Sequence, residues 1–147
     1  MSIFGAMDIS ATGMTAEQLR NDIITQNIAN VKTTRDENGH VYRRKNVIFN
    51  EKDVTGFSQI LLHSWGTVGN GVKVSRIYQD TVTPTKLVYD PSHPDANEEG
   101  YVEYPNVNIV QEMTDMIDAS RAYEANVTAF NATKSMLLDA LNMGSGS

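Results

Sequence analysis

The stretch Asp90-Pro91-Ser92-His93-Pro94-Asp95, followed by Glu98, Glu99 and Glu103, gathers the residue types that acid–base catalysis and metal binding use. A histidine between two carboxylates could pass a proton, with Asp90 or Asp95 orienting the imidazole, or could share a metal ion with them. The same residues also make a rigid turn. Two prolines fix their own φ angles, and Asp90 and Ser92 can bond the backbone amides that follow. Because Asn97-Glu98-Glu99-Gly100 continues as turn sequence, the turn is the expectation, with no metal and no cofactor. His40 and His63 stand alone, without ligand spacing around them. Gly66, Gly69 and Gly71 lack the Gly-Lys-Ser/Thr and the helix that complete a phosphate loop, so they read as turn glycines. Arg43-Arg44-Lys45 would be divided between two faces of a strand. It is expected to be solvated or to form an ion-pairing patch on a partner subunit.

Whatever these residues do, the elements around them must place them. The chain has 147 residues, enough for one modest domain or a small domain with extensions. Its net charge of −6 and pI of about 4.9 argue against nucleic acid or an anionic membrane as the main partner. It has no cysteine, which removes disulfides and thiolate-bound zinc. Asp8, Thr12, Thr15 and Glu17 break up the N-terminal apolar residues, so no ordinary signal peptide and no membrane-spanning run is expected.

Residues 1–34 read as an N-terminal helix with a closing turn. Met7, Met14, Ile24, Ile28 and Val31 fall on one side of the helical wheel, and Ile9, Ala16, Leu19 and Ile23 on another. Two apolar lines suit a helix held between neighbours. Thr15 and Gln18 have capping-box spacing, so the helix could start or restart there. Asn30 is expected to take the left-handed conformation that ends it. Residues 35–105 are β-rich, with a hairpin signal at Asn38-Gly39. Strands are expected at Val47-Ile48-Phe49, Val72–Tyr78, Lys86–Tyr89 and Tyr101–Tyr104, and a bulge could lie near Ile77. Pro105 separates them from a long C-terminal helix over 106–143, and Gly144–Ser147 reads as a flexible tail. The fold class is mainly α with a small β insertion, the terminal helices pairing as a coiled coil and short β-hairpins lying between them.

The long helix carries a heptad pattern. Met113, Met116, Ser120, Tyr123, Val127, Phe130, Lys134, Leu137 and Leu141 alternate spacings of three and four, which lays them along one seam. Polar Ser120 and Lys134 in that seam tend to specify register. Ala119, Ala122, Ala125, Ala129 and Ala132 keep other faces small enough for close neighbours. On spacing alone, the alternatives are a subunit of an assembly, a soluble coiled-coil adaptor, or a small enzyme using His93 with Asp90 and Asp95.

Longer motifs separate these. Asn27-Ile28-Ala29-Asn30-Val31-Lys32-Thr33-Thr34 resembles the Ala-Asn-x-x-Thr signature of bacterial flagellar axial proteins, the rod, hook and hook-associated proteins. The stretches Lys86–Asp95 and Glu98–Asn108 resemble the rod members of that family, as do Ser120–Ala129 and Asn131–Met136. The resemblance implies a non-enzymatic subunit of the proximal rod. Such subunits polymerise into a helical tube around the export channel and carry torque from motor to hook. It further implies export through the flagellar type III apparatus without a cleaved signal, and a place in the periplasmic part of the basal-body rod. The implied partners are further copies, other rod proteins, the rod-base adaptor and the export apparatus, with no nucleic acid and no direct membrane insertion. Asn27, Ala29, Asn30, Thr33 and the nine seam residues are the expected assembly contacts.

Overall fold

The computed structural model describes residues 3–36, 39–53 and 69–145. The expectations for Asn38, His63, Gly66 and the last two tail residues lie outside them. Helix α1 spans Ile3–Ala29, strands β1 to β4 span Lys45–Glu51, Val72–Gln79, Lys86–Tyr89 and Tyr101–Tyr104, and helix α2 spans Ile109–Ser145. The fold is two terminal helices with two small antiparallel sheets between them in sequence, β1 with β2 and β3 with β4. No helix among the described residues is long and apolar enough to cross a membrane.

Helix α1 runs through Thr15 without a break. The Thr15 hydroxyl donates to the Ala11 carbonyl at 3.0 Å, as Ser10, Thr12 and Thr25 donate to carbonyls three or four residues back. These hydroxyls satisfy themselves against the helix's own backbone, so the capping-box spacing starts nothing. The helix also ends without a left-handed residue, since no described non-glycine residue has positive φ. Asn30 closes it with its side chain instead. Its Nδ2 donates to the Gln26 carbonyl at 2.8 Å, and its Oδ1 accepts the Thr33 hydroxyl at 3.1 Å. A carboxamide that bonds both backward and forward needs no αL turn to satisfy the terminal carbonyls.

Around Gly39, Asp36 N–H donates to the His40 carbonyl at 2.8 Å and Gly39 N–H to the Asp36 carbonyl at 3.0 Å. The turn therefore closes, but residues 41–44 belong to no strand and the ladder begins at Lys45. In the β1–β2 sheet, Asp80 N–H donates to the Arg44 carbonyl and Lys52 N–H to the Gly71 carbonyl. Between these bonds one strand advances eight residues and the other nine, so the β2 side carries one extra residue. Ile77 and Tyr78 are consecutive yet both exposed, because both faces of this end of the strand meet solvent.

In the β3–β4 hairpin Lys86 faces Tyr104, Leu87 faces Glu103, Val88 faces Val102 and Tyr89 faces Tyr101. One face holds Leu87, Tyr89, Tyr101 and Glu103, all exposed; the other carries the fully buried Val102 inward. Gly100 enters β4 at φ 82°, and a Cβ there would lie 2.9 Å from Tyr89 Cε2. Both facts call for glycine.

Helix α2 is capped by Asn108, whose Oδ1 accepts Val110 N–H at 3.1 Å. Its 37 residues run to Ser145, through the first half of the tail read as flexible. One glycine costs a helix about 1 kcal/mol, too little to stop one this long.

The chain forms two compact units, each drawing on both helices. One comprises Met1–Leu19, Phe49–Ser75 and Ala119–Ser147, the other Arg20–Ile48 and Arg76–Asp118. Among the described residues of the first, the fully buried ones are small: Ser10, Ala16 and Ala119. A Cβ on Gly13 would come within 2.8 Å of Asn126 Oδ1, so the helices approach there at a distance that glycine permits. Thr12 Oγ1 accepts Val72 N–H at 3.1 Å, so this turn of α1 touches both α2 and β2. In the second unit Ile23, Ile24, Val102 and Val107 form the apolar core, beside buried Asn27, Asn106 and Glu112.

Candidate functional site

The second unit is organised around a polar cluster that the hydrophobic pattern did not reveal. Asn27, near the end of α1, is 1% exposed. Its Oδ1 accepts Lys45 N–H and its Nδ2 donates to the Lys45 carbonyl, both at 2.9 Å. The carboxamide thus bonds both backbone groups of the first β1 residue, as a neighbouring strand would. Oδ1 also accepts the Tyr42 hydroxyl, and Nδ2 also donates to Glu112 Oε2, again at 2.9 Å each.

Glu112, in the first turn of α2, is likewise 1% exposed and receives Arg44 Nε on its other oxygen. Arg44 Nη2 reaches Asp115, one turn along, at 2.8 Å. A guanidinium divided between two carboxylates three residues apart ties the start of β1 to one face of α2. A second buried carboxamide braces the same strand: Asn106 Oδ1 accepts Arg44 N–H, while its Nδ2 donates to the carbonyls of Asp80 and Thr83. Each buried polar group of this cluster has a partner, which makes its burial tolerable. Burial, then the adjacent Glu112 charge, raises the Tyr42 pKa above 10.0. Asp80 lies below the usual carboxylate value because the Thr83 hydroxyl and amide bond its ionised form.

Beside the cluster, a cleft of about 420 Å³ is lined by Arg20, Ile23 and Ile24 of α1 and by Asp115 and Asp118 of α2. With Asn27 against Glu112, residue number rises on one helix as it falls on the other, so the pairing is antiparallel. The basic cluster is therefore placed differently from expectation. Arg44 is paired inside its own chain, because Glu112 and Asp115 present two carboxylates to it, while Arg43 has no ion pair among the described residues.

The acid–histidine stretch is a turn. Asp90 Oδ1 accepts the Ser92 hydroxyl at 2.6 Å and the Ser92 amide at 3.1 Å, and these bonds hold its carboxyl below the usual pKa. His93 Nδ1 accepts Asp95 N–H at 3.1 Å. The Asp95 carboxylate takes the Thr34 hydroxyl at 2.6 Å and Arg35 at 3.2 Å. The carboxylates are thus committed to turn geometry and to the segment after α1. Among the described residues no group of three His, Asp or Glu is placed to hold a metal.

The expected seam residues are not all buried against α1. On α2 the fully buried positions are Glu112 and Ala119; half-buried Asn126 and Thr133 continue their heptad line, one residue before the line Met113, Ser120, Val127, Lys134 and Leu141. Met113 and Leu141 are 55% and 60% exposed, and Lys134 is exposed. Ser120 and Val127 are half-buried, as are Met116, Tyr123, Phe130 and Leu137 of the second line. Small and polar residues occupy the inward line, so a hydrophobic pattern points one residue away from it. Of the turn residues, Ala29 is exposed and Thr33 half-buried. The sequence singles out Asn27 as an assembly contact, not as the centre of an intramolecular cluster, and it does not single out Tyr42, Asn106, Glu112 or Asn126, nor pair Arg44 with Glu112. The signal for Glu112 and Asn126 was their fourteen-residue spacing, which matches that of Gly13 and Asn27 on α1.

Two helices paired around a small β insertion, with Val110, Met113, Ile117, Leu138 and Leu141 of α2 exposed, define a subunit built for association rather than a closed globule. Residues 7–35 match the flagella basal body rod protein family, and residues 98–143 the C-terminal family of flagellar basal body rod FlgEFG proteins. The chain is 48% identical to the flagellar basal-body rod protein FlgC of Bacillus subtilis, across 98% of this chain and 99% of that one. It is 46% identical to FlgC of Borreliella burgdorferi, across 96% and 97%, and 35% identical to that of Escherichia coli O157:H7, across 98% and 99%. The chain belongs to the flagellar basal-body rod protein FlgC family.

Proposed function

We propose that this chain is a non-enzymatic structural subunit of the flagellar basal-body rod. It polymerises in the proximal, periplasmic part as a helical tube that surrounds the export channel and carries torque toward the hook. Its partners are further copies, other rod proteins and the rod-base adaptor. It leaves the cell through the flagellar type III apparatus without a cleaved signal. The observation that carries this reading is near-full-length similarity to rod proteins, including both helices. The apolar side chains left outside the intramolecular pair support it, since an exposed helical stripe is ordinarily covered by a partner. Asn27, Ala29, Asn30 and Thr33 set the angle at which the chain leaves α1, and the line Met113, Ser120, Val127, Lys134 and Leu141, with Met116, Tyr123, Phe130 and Leu137, meets neighbouring subunits.

The test separates folding from assembly. Leu141→Asp is introduced in cells whose only copy is the variant, with Asp139→Asn as a control, and basal bodies are purified. Leu141→Asp should leave the isolated subunit's circular dichroism unchanged, because the side chain is exposed, yet leave cells without rods. An acidic group at an apolar contact must be desolvated, and the penalty recurs at every copy. Normal rods containing the Leu141→Asp chain would overturn the contact role, and basal bodies lacking the wild-type chain would overturn the rod reading itself.

A further inference from the structure

We propose that the outward face of the β3–β4 hairpin docks on the exposed end of β2 in a second copy of this chain, a contact that rests on the rod reading. On the hairpin, Leu87 is 67% exposed, Tyr89 65% and Tyr101 40%, and the two tyrosine rings meet edge to face with centroids 5.3 Å apart. Around them stand exposed Glu98, Glu99 and Glu103, and no cation pairs with any of them among the described residues. On one side Leu87, Tyr101 and Glu103 line a cleft of about 220 Å³ with Thr34, Arg35 and Val41 of the same chain, and Tyr89 stands outside it. The open part of the face is apolar in the middle with carboxylates beside it, the arrangement of an interface patch.

The complementary surface lies at the C-terminal end of β2. Arg76, Ile77 and Tyr78 are exposed in succession, and the Arg76 guanidinium lies over the Tyr78 ring, 5.9 Å from its centroid. Arg35, Arg44, Lys52 and Lys73 each find a carboxylate in their own chain, whereas Arg76 finds none among the described residues. In a chain of net charge −6, such a cation over an exposed tyrosine ring fits an acidic, aromatic face. The two patches differ in sign, so neither is complementary to itself. A contact between unlike patches does not close a pair; it leaves one of each free and propagates.

The absence of cysteine makes the contact directly testable. Tyr101→Cys and Tyr78→Cys chains are expressed together, basal bodies are isolated and oxidised, and dimers are counted on non-reducing gels. A disulfide-linked dimer should form in the mixture and fail to form with either variant alone. Adding Glu98→Lys and Glu99→Lys to the Tyr101→Cys chain should cut the dimer about tenfold, and Arg76→Glu on the other chain should restore it. Crosslinking by Tyr78→Cys alone, crosslinking of Tyr101→Cys to a different rod protein, or no crosslink in rods that contain both chains would each overturn the proposal while leaving the rod reading intact. Absence of both chains, and of the wild type, from the rods would overturn the rod reading and this contact with it.

Discussion

Tyr42 keeps its proton to bond Asn27, and burial beside Glu112 raises its pKa above 10.0 in the folded chain. Unfolding lets the phenol ionise at its ordinary value, so between the two values the unfolded chain binds fewer protons. Stability from this group is present below about pH 10 and declines as pH rises toward the folded value. Tyr42→Phe should lower stability at neutral pH by about 1 kcal/mol and make the loss between neutral and pH 11 shallower than in wild type, read by urea denaturation across pH. An equally steep alkaline loss in both chains would show that Tyr42 is not the group responsible. Asn27→Ala is the harsher change, because it strands Lys45 N–H, the Lys45 carbonyl, the Tyr42 hydroxyl and one Glu112 oxygen together. We expect a loss of roughly 3 kcal/mol in the same assay, and a cost below half a kilocalorie would mean water replaces the carboxamide without penalty.

At the scale of elements, the Gly13–Asn126 contact makes a prediction whose sign depends on its partner. Gly13→Ala improves helix propensity by about 1 kcal/mol, but its Cβ must displace the Asn126 side chain and with it the bond from Nδ2 to the Ala122 carbonyl. The substitution should therefore be neutral or destabilising alone and stabilising in an Asn126→Ala background, as a double-mutant cycle by thermal melting would read. Stabilisation in both backgrounds would mean the helices stand farther apart at this point. The helices and most strands were legible because their signals are local: period, caps, prolines and turn residues. Register was less so. The inward line of α2 is Glu112, Ala119 and Asn126, and a reading that follows large apolar residues chooses Met113 and Val127 instead. Asn30 shows the same limit on a smaller scale, since its residue type announced a helix end but not which of two closing geometries it uses. The Arg44–Glu112 pair joins residues 68 apart in sequence, and no local pattern connects them.

For the whole molecule, the different side chains buried among the described residues of the two units predict an order of opening. Among the described residues, the unit holding both helix ends fully buries Ser10, Ala16 and Ala119, whereas the other buries Ile23, Ile24, Val102, Val107 and the polar cluster. Native-state hydrogen exchange should show amides of residues 4–15 and 130–143 opening well before those of residues 23–28 and 109–116. Uniform protection along both helices would contradict this order. A methyl group returns roughly 0.8 kcal/mol of burial to solvent when it is exposed, so alanine contacts let go in small increments. Pulled from either terminus, such a chain yields one turn at a time under low tension, and the steep resistance comes only where Asn27, Arg44 and Glu112 must release together. On the export route proposed above, a chain that travels strung out and is stiff once installed gains from that order: its ends feed first, and the clamp reforms as the compact seed on which the ends close again.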